Sequence, residues 1–193
     1  MNSLEIKEQI LEELEKIPIT AGITDKIYSQ LILAGNEFSK NLALELLASE
    51  NENKRSKGMQ IARIVDGENN LNLAIPLLQD NNHLIRWQAM QYITETNKFL
   101  EDIDIIKIVI YQLLNNTSPV VRIEAAASLE YCKIIPDAIP ALEYVRDHDH
   151  EEEDGFSVSY IASRVLKDLA KRTNDNISYR WKPDGTLEAI KNK

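Results

Sequence analysis

The amino-acid sequence predicts an all-α fold, a short α-solenoid of stacked antiparallel helix pairs, and three observations predict it. A pattern recurs: Ala74-Ile75-Pro76-Leu77-Leu78-Gln79-Asp80 is followed by Leu84-Ile85-Arg86-Trp87-Gln88-Ala89, and Leu113-Leu114 by Val120-Val121-Arg122-Ile123-Glu124-Ala125-Ala126. Its period is that of stacked two-helix units, since Arg86 to Arg122 and Ala89 to Ala125 are 36 residues and Ala125 to Ala162 is 37. The chain has only six Gly and six Pro in 193 residues, against abundant Leu, Ile, Ala, Glu and Lys, which favours helices over a sheet with many turns.

The elements follow in order. Ser3-Leu4-Glu5-Ile6 opens a helix expected to reach about Lys16, with Ile6, Ile10, Leu11 and Leu14 on one stripe, and Pro18 and Gly22 end it. A second helix is expected over Asp25 to Ala34, packing Ile27, Leu31 and Ala34 on the first; this pair is too irregular for a full repeat and reads as a terminal cap. Leu42 to Ala48 and Gly58 to Val65 form the next hairpin across the polar stretch from Ser49 to Lys54. Leu71 to Leu78 pairs with Leu84 to Thr94, Ile105 to Leu114 with Pro119 to Cys132, and Ala138 to Val145 with Ser157 to Lys171. The domain expectation is one solenoid over 1–172, with 1–40 as a degenerate cap, and a C-terminal hairpin or tail over 173–193.

Small residues recur at Gly58, Ala89, Ala125 and Ala162, where a short side chain lets crossing helices approach. Pro76 and Pro140 are expected near helix starts, where a missing N–H costs little, and Ser118-Pro119 marks another start. The last repeat carries a longer loop from Arg146 to Phe156, in which six of the eight residues from Asp147 to Asp154 are acidic. At the C-terminus, Ile177 to Trp181 and Thr186 to Ile190 flank the turn signal Pro183-Asp184-Gly185, which predicts a β-hairpin; a frayed tail competes, because two strands alone are marginal in water.

Pro136-Asp137-Ala138-Ile139-Pro140-Ala141-Leu142 and Ser118-Pro119-Val120-Val121-Arg122-Ile123-Glu124-Ala125-Ala126-Ala127-Ser128-Leu129 resemble the first helix, and the turn and second helix, of a HEAT repeat, in particular the short bacterial form described as phycobilisome-lyase-like. The resemblance is good from Leu71 to Arg172, weaker from Leu42 to Val65, and absent from the first forty and last twenty residues. It implies the fold; for function it spans scaffolds, chromophore lyases, a few hydroxylases, DNA glycosylases and inhibitors. Arginines at the position of Arg86 and Arg122 in such stacks reach polar groups in the adjoining turn, for which Asp80 and Asn116 are the expected partners.

Charge narrows the function classes. With 31 Asp plus Glu against 22 Lys plus Arg, the net charge of −9 repels nucleic acid and anionic membranes and favours a basic protein partner. Lys54, Arg55, Lys57 and Arg63 form only a local cluster, expected on a solvated helix face. No apolar run is long enough to span a bilayer, there is no basic leader, and the single Cys132 reads as a packed, inert thiol, which together predict a cytoplasmic protein that is a monomer when free. No phosphate-cradling loop, nucleophile elbow or zinc-binding helix motif occurs, and His150-Glu151 is the only His-Glu pair, so neither catalytic residues nor a metal or cofactor is expected.

The leading expectation is a non-enzymatic module that captures a protein on a concave face and an acidic rim, in the manner of an immunity protein neutralising a basic toxin such as a nuclease. Trp87, Gln88, Gln91, Glu124, Tyr160 and Arg164 fall at or beside equivalent second-helix positions, where Trp, Tyr and Arg suit an interface; Trp87 equally suits the space between repeats. Asp147, Asp149, Glu151, Glu152, Glu153 and Asp154 would form the rim, a solvated loop being the alternative. Tyr179, Arg180 and Trp181 suit either capping or binding. A bilin lyase or its accessory subunit, and a DNA-repair glycosylase, are the enzymatic alternatives that the resemblance leaves open.

Overall fold

A computed structural model describes residues 3–66, 71–96, 102–132, 135–172, 177–181 and 187–191. The fold is all-α, and the chain divides into two compact units, Met1–Ile93 and Thr94–Lys193.

In the first unit, α1 (Ser3–Glu15) buries Ile10 and Leu14, and α2 (Asp25–Ala34) buries Ile27 and Leu31. Thr24 caps α2 by accepting the Ile27 N–H on Oγ1. A single glycine joins α2 to α3 (Asn36–Leu47): Gly35 sits at φ 89°, a left-handed backbone that side chains disfavour, and its N–H closes onto the carbonyls of Leu31 and Ile32. Buried Ser39 donates to Leu31 O at 3.1 Å and fixes the joint. The helix therefore begins six residues before the expected Leu42, through a first turn whose one apolar residue, Phe38, stands apart from the Leu42–Leu47 run.

The fourth helix, α4 (Glu52–Asp66), likewise starts inside the stretch expected to be loop. It crosses α3 so closely at Gly58 that a Cβ there would lie 2.8 Å from Leu47 N. α1 packs on α2 and α4, and α3 on the same two, so the four helices form a ring of neighbours. Polar bonds close it: Asn53 Nδ2 donates to Ile17 O at 3.0 Å, and Lys57 Nζ to Pro18 O at 2.8 Å and to Ala21 O. The solvated-face expectation fails here. Lys57 is fully buried, because its ammonium supplies the α1–α2 loop with donors that the loop backbone lacks, and burial pushes its pKa down. α5 (Leu71–Leu77) and α6 (His83–Glu95) complete the unit, with Ile85, Ala89, Met90, Tyr92 and Ile93 buried along α6.

The second unit repeats one design twice. α7 (Ile103–Asn115), capped by Asp102 Oδ1, pairs with α8 (Pro119–Ser128), which passes into a 3-10 turn at Leu129–Tyr131. α9 (Ile135–His148) pairs with α10 (Val158–Arg172). First helix packs on first, α7 on α9, and second on second, α8 on α10, the two-layer arrangement of a helical repeat. Ala125 and Ala162 are wholly buried at these crossings. Pro76 and Pro140 stand at the sixth residue of α5 and α9 rather than at the starts, because both helices begin upstream of the proline-bearing motif.

Two small antiparallel hairpins complete the described chain. β1 (Glu152–Glu153) pairs with β2 (Phe156–Ser157) inside the acidic stretch, and β3 (Ile177–Trp181) pairs with β4 (Leu187–Lys191). The C-terminal hairpin is thus present, with β3 against α9. The turn at Pro183-Asp184-Gly185 and the side chains of Tyr179, Arg180 and Trp181 lie outside the described residues. No described helix is long and apolar enough to cross a membrane.

Candidate functional site

The turns within the helix pairs share one polar design. The side chain of Ser49, Asp80, Asn116 or Asp149 accepts the backbone N–H two residues on, from Asn51, Asn82, Ser118 or Glu151. Six residues after the first three stands an arginine, whose Nη1 turns back to the carbonyls of its own turn: Arg55 to Ser49 and Glu50, Arg86 to Asp80 and Asn81, Arg122 to Asn116. Arg86 and Arg122 thus meet the expected residues through backbone oxygen.

The other guanidinium nitrogens reach the next turn. Arg55 Nε and Nη2 grip Asp80 at 2.6 and 2.9 Å, and Arg122 Nε and Nη2 grip Asp149 at 2.6 and 3.1 Å. Burial alone would raise the Asp80 carboxyl, but the Arg55 bonds and the Asn82 N–H outweigh it and hold the pKa below its ordinary value. Arg122 also donates to Glu151 at 2.9 Å. Two of the six rim acids, Asp149 and Glu151, are therefore clamped by a buried arginine.

The acidic stretch is an ordered hairpin. Val158 N–H donates to Glu151 O and Ser159 N–H to Asp149 O, while Asp154 and Gly155 both take positive φ, 52° and 80°, as a two-residue type I′ turn requires. α8 lies against both short strands. Asp147 pairs with Arg146 at 2.7 and 2.8 Å, and that neighbour holds its carboxyl below the usual range. Glu152, Glu153 and Asp154 point their charge into solvent at the tip. His148 stacks on Tyr144, ring centroids 4.6 Å apart, and no three His, Cys, Asp or Glu among the described residues are placed to hold a metal. Cys132 is buried, 4% exposed.

The expected second-helix residues fall in two places, one per unit. In the first, α4, α6 and the α1–α2 loop enclose a cleft of about 400 Å³ lined by Trp87, Gln88, Gln91, Gln60, Arg63 and Ile23, among others. Trp87 is half-buried along it. Gln60 Nε2 donates to Ala21 O at 3.3 Å, while its buried Oε1 meets no donor among the described residues. Ser56 Oγ lies 3.0 Å from the Gln88 side-chain amide and 3.4 Å from Ile19 O, tying α4 to α6 and to the α1–α2 loop. In the second unit, Tyr160 is 59% exposed near the start of α10, Arg164 lies 3.8 Å from Glu130, and Glu124 is half-buried on α8.

Gln60 and the pairing role of Arg55 were missed from sequence. The step of six from Ser49 to Arg55, repeated at Asp80 to Arg86 and Asn116 to Arg122, is the signal that would have found Arg55. Nothing local marks Gln60, whose state depends on a carbonyl 39 residues away. Compared with protein-family models, curated proteins and solved structures, the chain matches none.

Proposed function

We propose that this chain is a non-enzymatic, HEAT-like binding module that captures a protein partner on the exposed surfaces of its second helices. The observation that carries the reading is the α4–α6 cleft, where a half-buried tryptophan stands among amides and a buried oxygen lacks a donor. Such a surface combines an aromatic anchor with polar side chains around it, as an interface centre does. The narrowest form of the proposal is an immunity-type inhibitor of a basic bacterial toxin such as a nuclease. Its support is the net charge of −9 and the three solvent-facing carboxylates of Glu152, Glu153 and Asp154, held on a hairpin that follows the Asp149 and Glu151 carboxylates bound by Arg122.

The test is capture from lysate with three forms of the chain: unaltered, Trp87→Ala, and Glu152→Gln with Glu153→Gln and Asp154→Asn. Asp149 and Glu151 stay unchanged, since altering them would mix folding with binding. A protein held by the unaltered chain and weakened by about 2 kcal/mol or more in Trp87→Ala supports the cleft. A captured protein indifferent to both variants removes the proposal.

A further inference from the structure

Resting on the binding-module reading but on a different surface, we propose that a recess between the ends of α7 and α9 is a seat for one arginine side chain of the protein partner. The recess holds about 330 Å³ and is lined by Leu114, Tyr144, His148 and Glu151, among others. Leu114 is exposed on α7, and Tyr144 on α9, although stacked on His148, is 56% exposed. Apolar and aromatic surface is therefore open to a ligand on both walls.

The charge of the recess selects a cation. Glu151 takes Arg122 on Oε2 alone, its Oε1 meets no donor among the described residues, and its side chain is 65% exposed, so one carboxylate oxygen remains for a ligand. Arg122 spends all three guanidinium nitrogens on Asp149, Glu151 and Asn116 O, and the carboxylates of Asp149 and Glu151 outweigh its single charge. The C-terminal ends of α7 and α9, at Asn115 and His148, also border the recess, and the last carbonyls of a helix carry partial negative charge. An anion meets the same field as repulsion, and no three His, Cys, Asp or Glu among the described residues are placed to hold a metal. Tyr144 then selects among cations. A planar guanidinium lies flat on a ring while its edge donates to a carboxylate, whereas the compact, strongly hydrated ammonium of lysine is held only as a point charge. The apolar stem of the arginine lies along Leu114.

The experiment titrates the full chain, with the Tyr144 ring and Leu114 methyl resonances observed by NMR, with Ac-Arg-NHMe, with Ac-Lys-NHMe and with Ac-citrulline-NHMe, which keeps the planar group without the charge. The arginine probe is expected to shift both residues saturably, binding about threefold more tightly than the lysine probe and about tenfold more tightly than the citrulline probe. Tyr144→Leu, whose fold is checked by circular dichroism, is expected to lose the preference for arginine over lysine. Glu152→Gln with Glu153→Gln and Asp154→Asn is expected to keep arginine binding within about twofold, because the hairpin tip is not the seat. No saturable response at Tyr144, equal binding of the arginine probe and either other probe, a preference kept in Tyr144→Leu, or binding lost with the three tip carboxylates overturns the proposal. If Trp87→Ala weakens protein capture while the probes fail to discriminate, the binding module stands and the arginine seat falls; arginine selectivity, with capture weakened by Tyr144→Leu but indifferent to Trp87→Ala and to the tip variant, has the reverse meaning.

Discussion

Arg122 binds two carboxylates and one backbone carbonyl from a side chain only 9% exposed. Truncating it strands Asp149, itself 16% exposed, without its cation. Arg122→Ala is expected to lower the stability of the chain by about 3 kcal/mol in urea denaturation, whereas Glu153→Gln at the hairpin tip stays within about 0.5 kcal/mol. The equivalent Asp80 gives a pH signature. Its folded pKa lies below its ordinary 3.8, so its contribution is complete above 3.8 and is lost as pH falls through the folded value. The urea midpoint of the unaltered chain should drop more steeply than that of Asp80→Asn below about pH 4, and parallel curves would show that the Arg55 grip contributes nothing.

At the scale of elements, the α3–α4 crossing depends on one missing methyl group. Alanine is the better helix former by about 1 kcal/mol, yet at position 58 its Cβ meets backbone that has no rotamer to yield. The overpacking term decides, and Gly58→Ala is expected to be net destabilising by about 1–2 kcal/mol; a raised melting temperature would contradict the crossing geometry. The acidic hairpin depends on Gly155 at φ 80°. Gly155→Ala forces a Cβ into that backbone at a cost of about 1 kcal/mol, and hydrogen exchange at the Val158 and Ser159 amides should quicken as the hairpin loosens. Helix starts were the least legible feature at this scale. Asn36 and Glu52 are exposed, and the turns they open are mostly polar, with Phe38 the one apolar residue between Asn36 and Ser39 and none between Glu52 and Arg55, so apolar periodicity has little to count there.

For the whole molecule, the charge of −9 would act at long range and, on the proposed reading, the cleft at contact. Association with a basic partner is therefore expected to slow about tenfold or more between low and physiological salt, with the dissociation rate nearly unchanged, as stopped-flow mixing would show. A salt-independent association rate would remove the steering role of the carboxylates at Glu152, Glu153 and Asp154. By itself, the sequence determined the helical class, the 36-residue repeat, the buried small residues at Ala89, Ala125 and Ala162, and Trp87 and Gln91 as surface candidates, because periodicity and turn residues are encoded within one or two turns of chain. Tertiary structure alone decided that Arg122 clamps Asp149 and Glu151, that Lys57 is buried beneath the α1–α2 loop, and that Gln60 keeps a buried, unpaired oxygen. Each depends on partners 27 to 39 residues apart, from Arg122–Asp149 to Lys57–Pro18, and local patterning cannot report which distant groups will be left satisfied when the helices close.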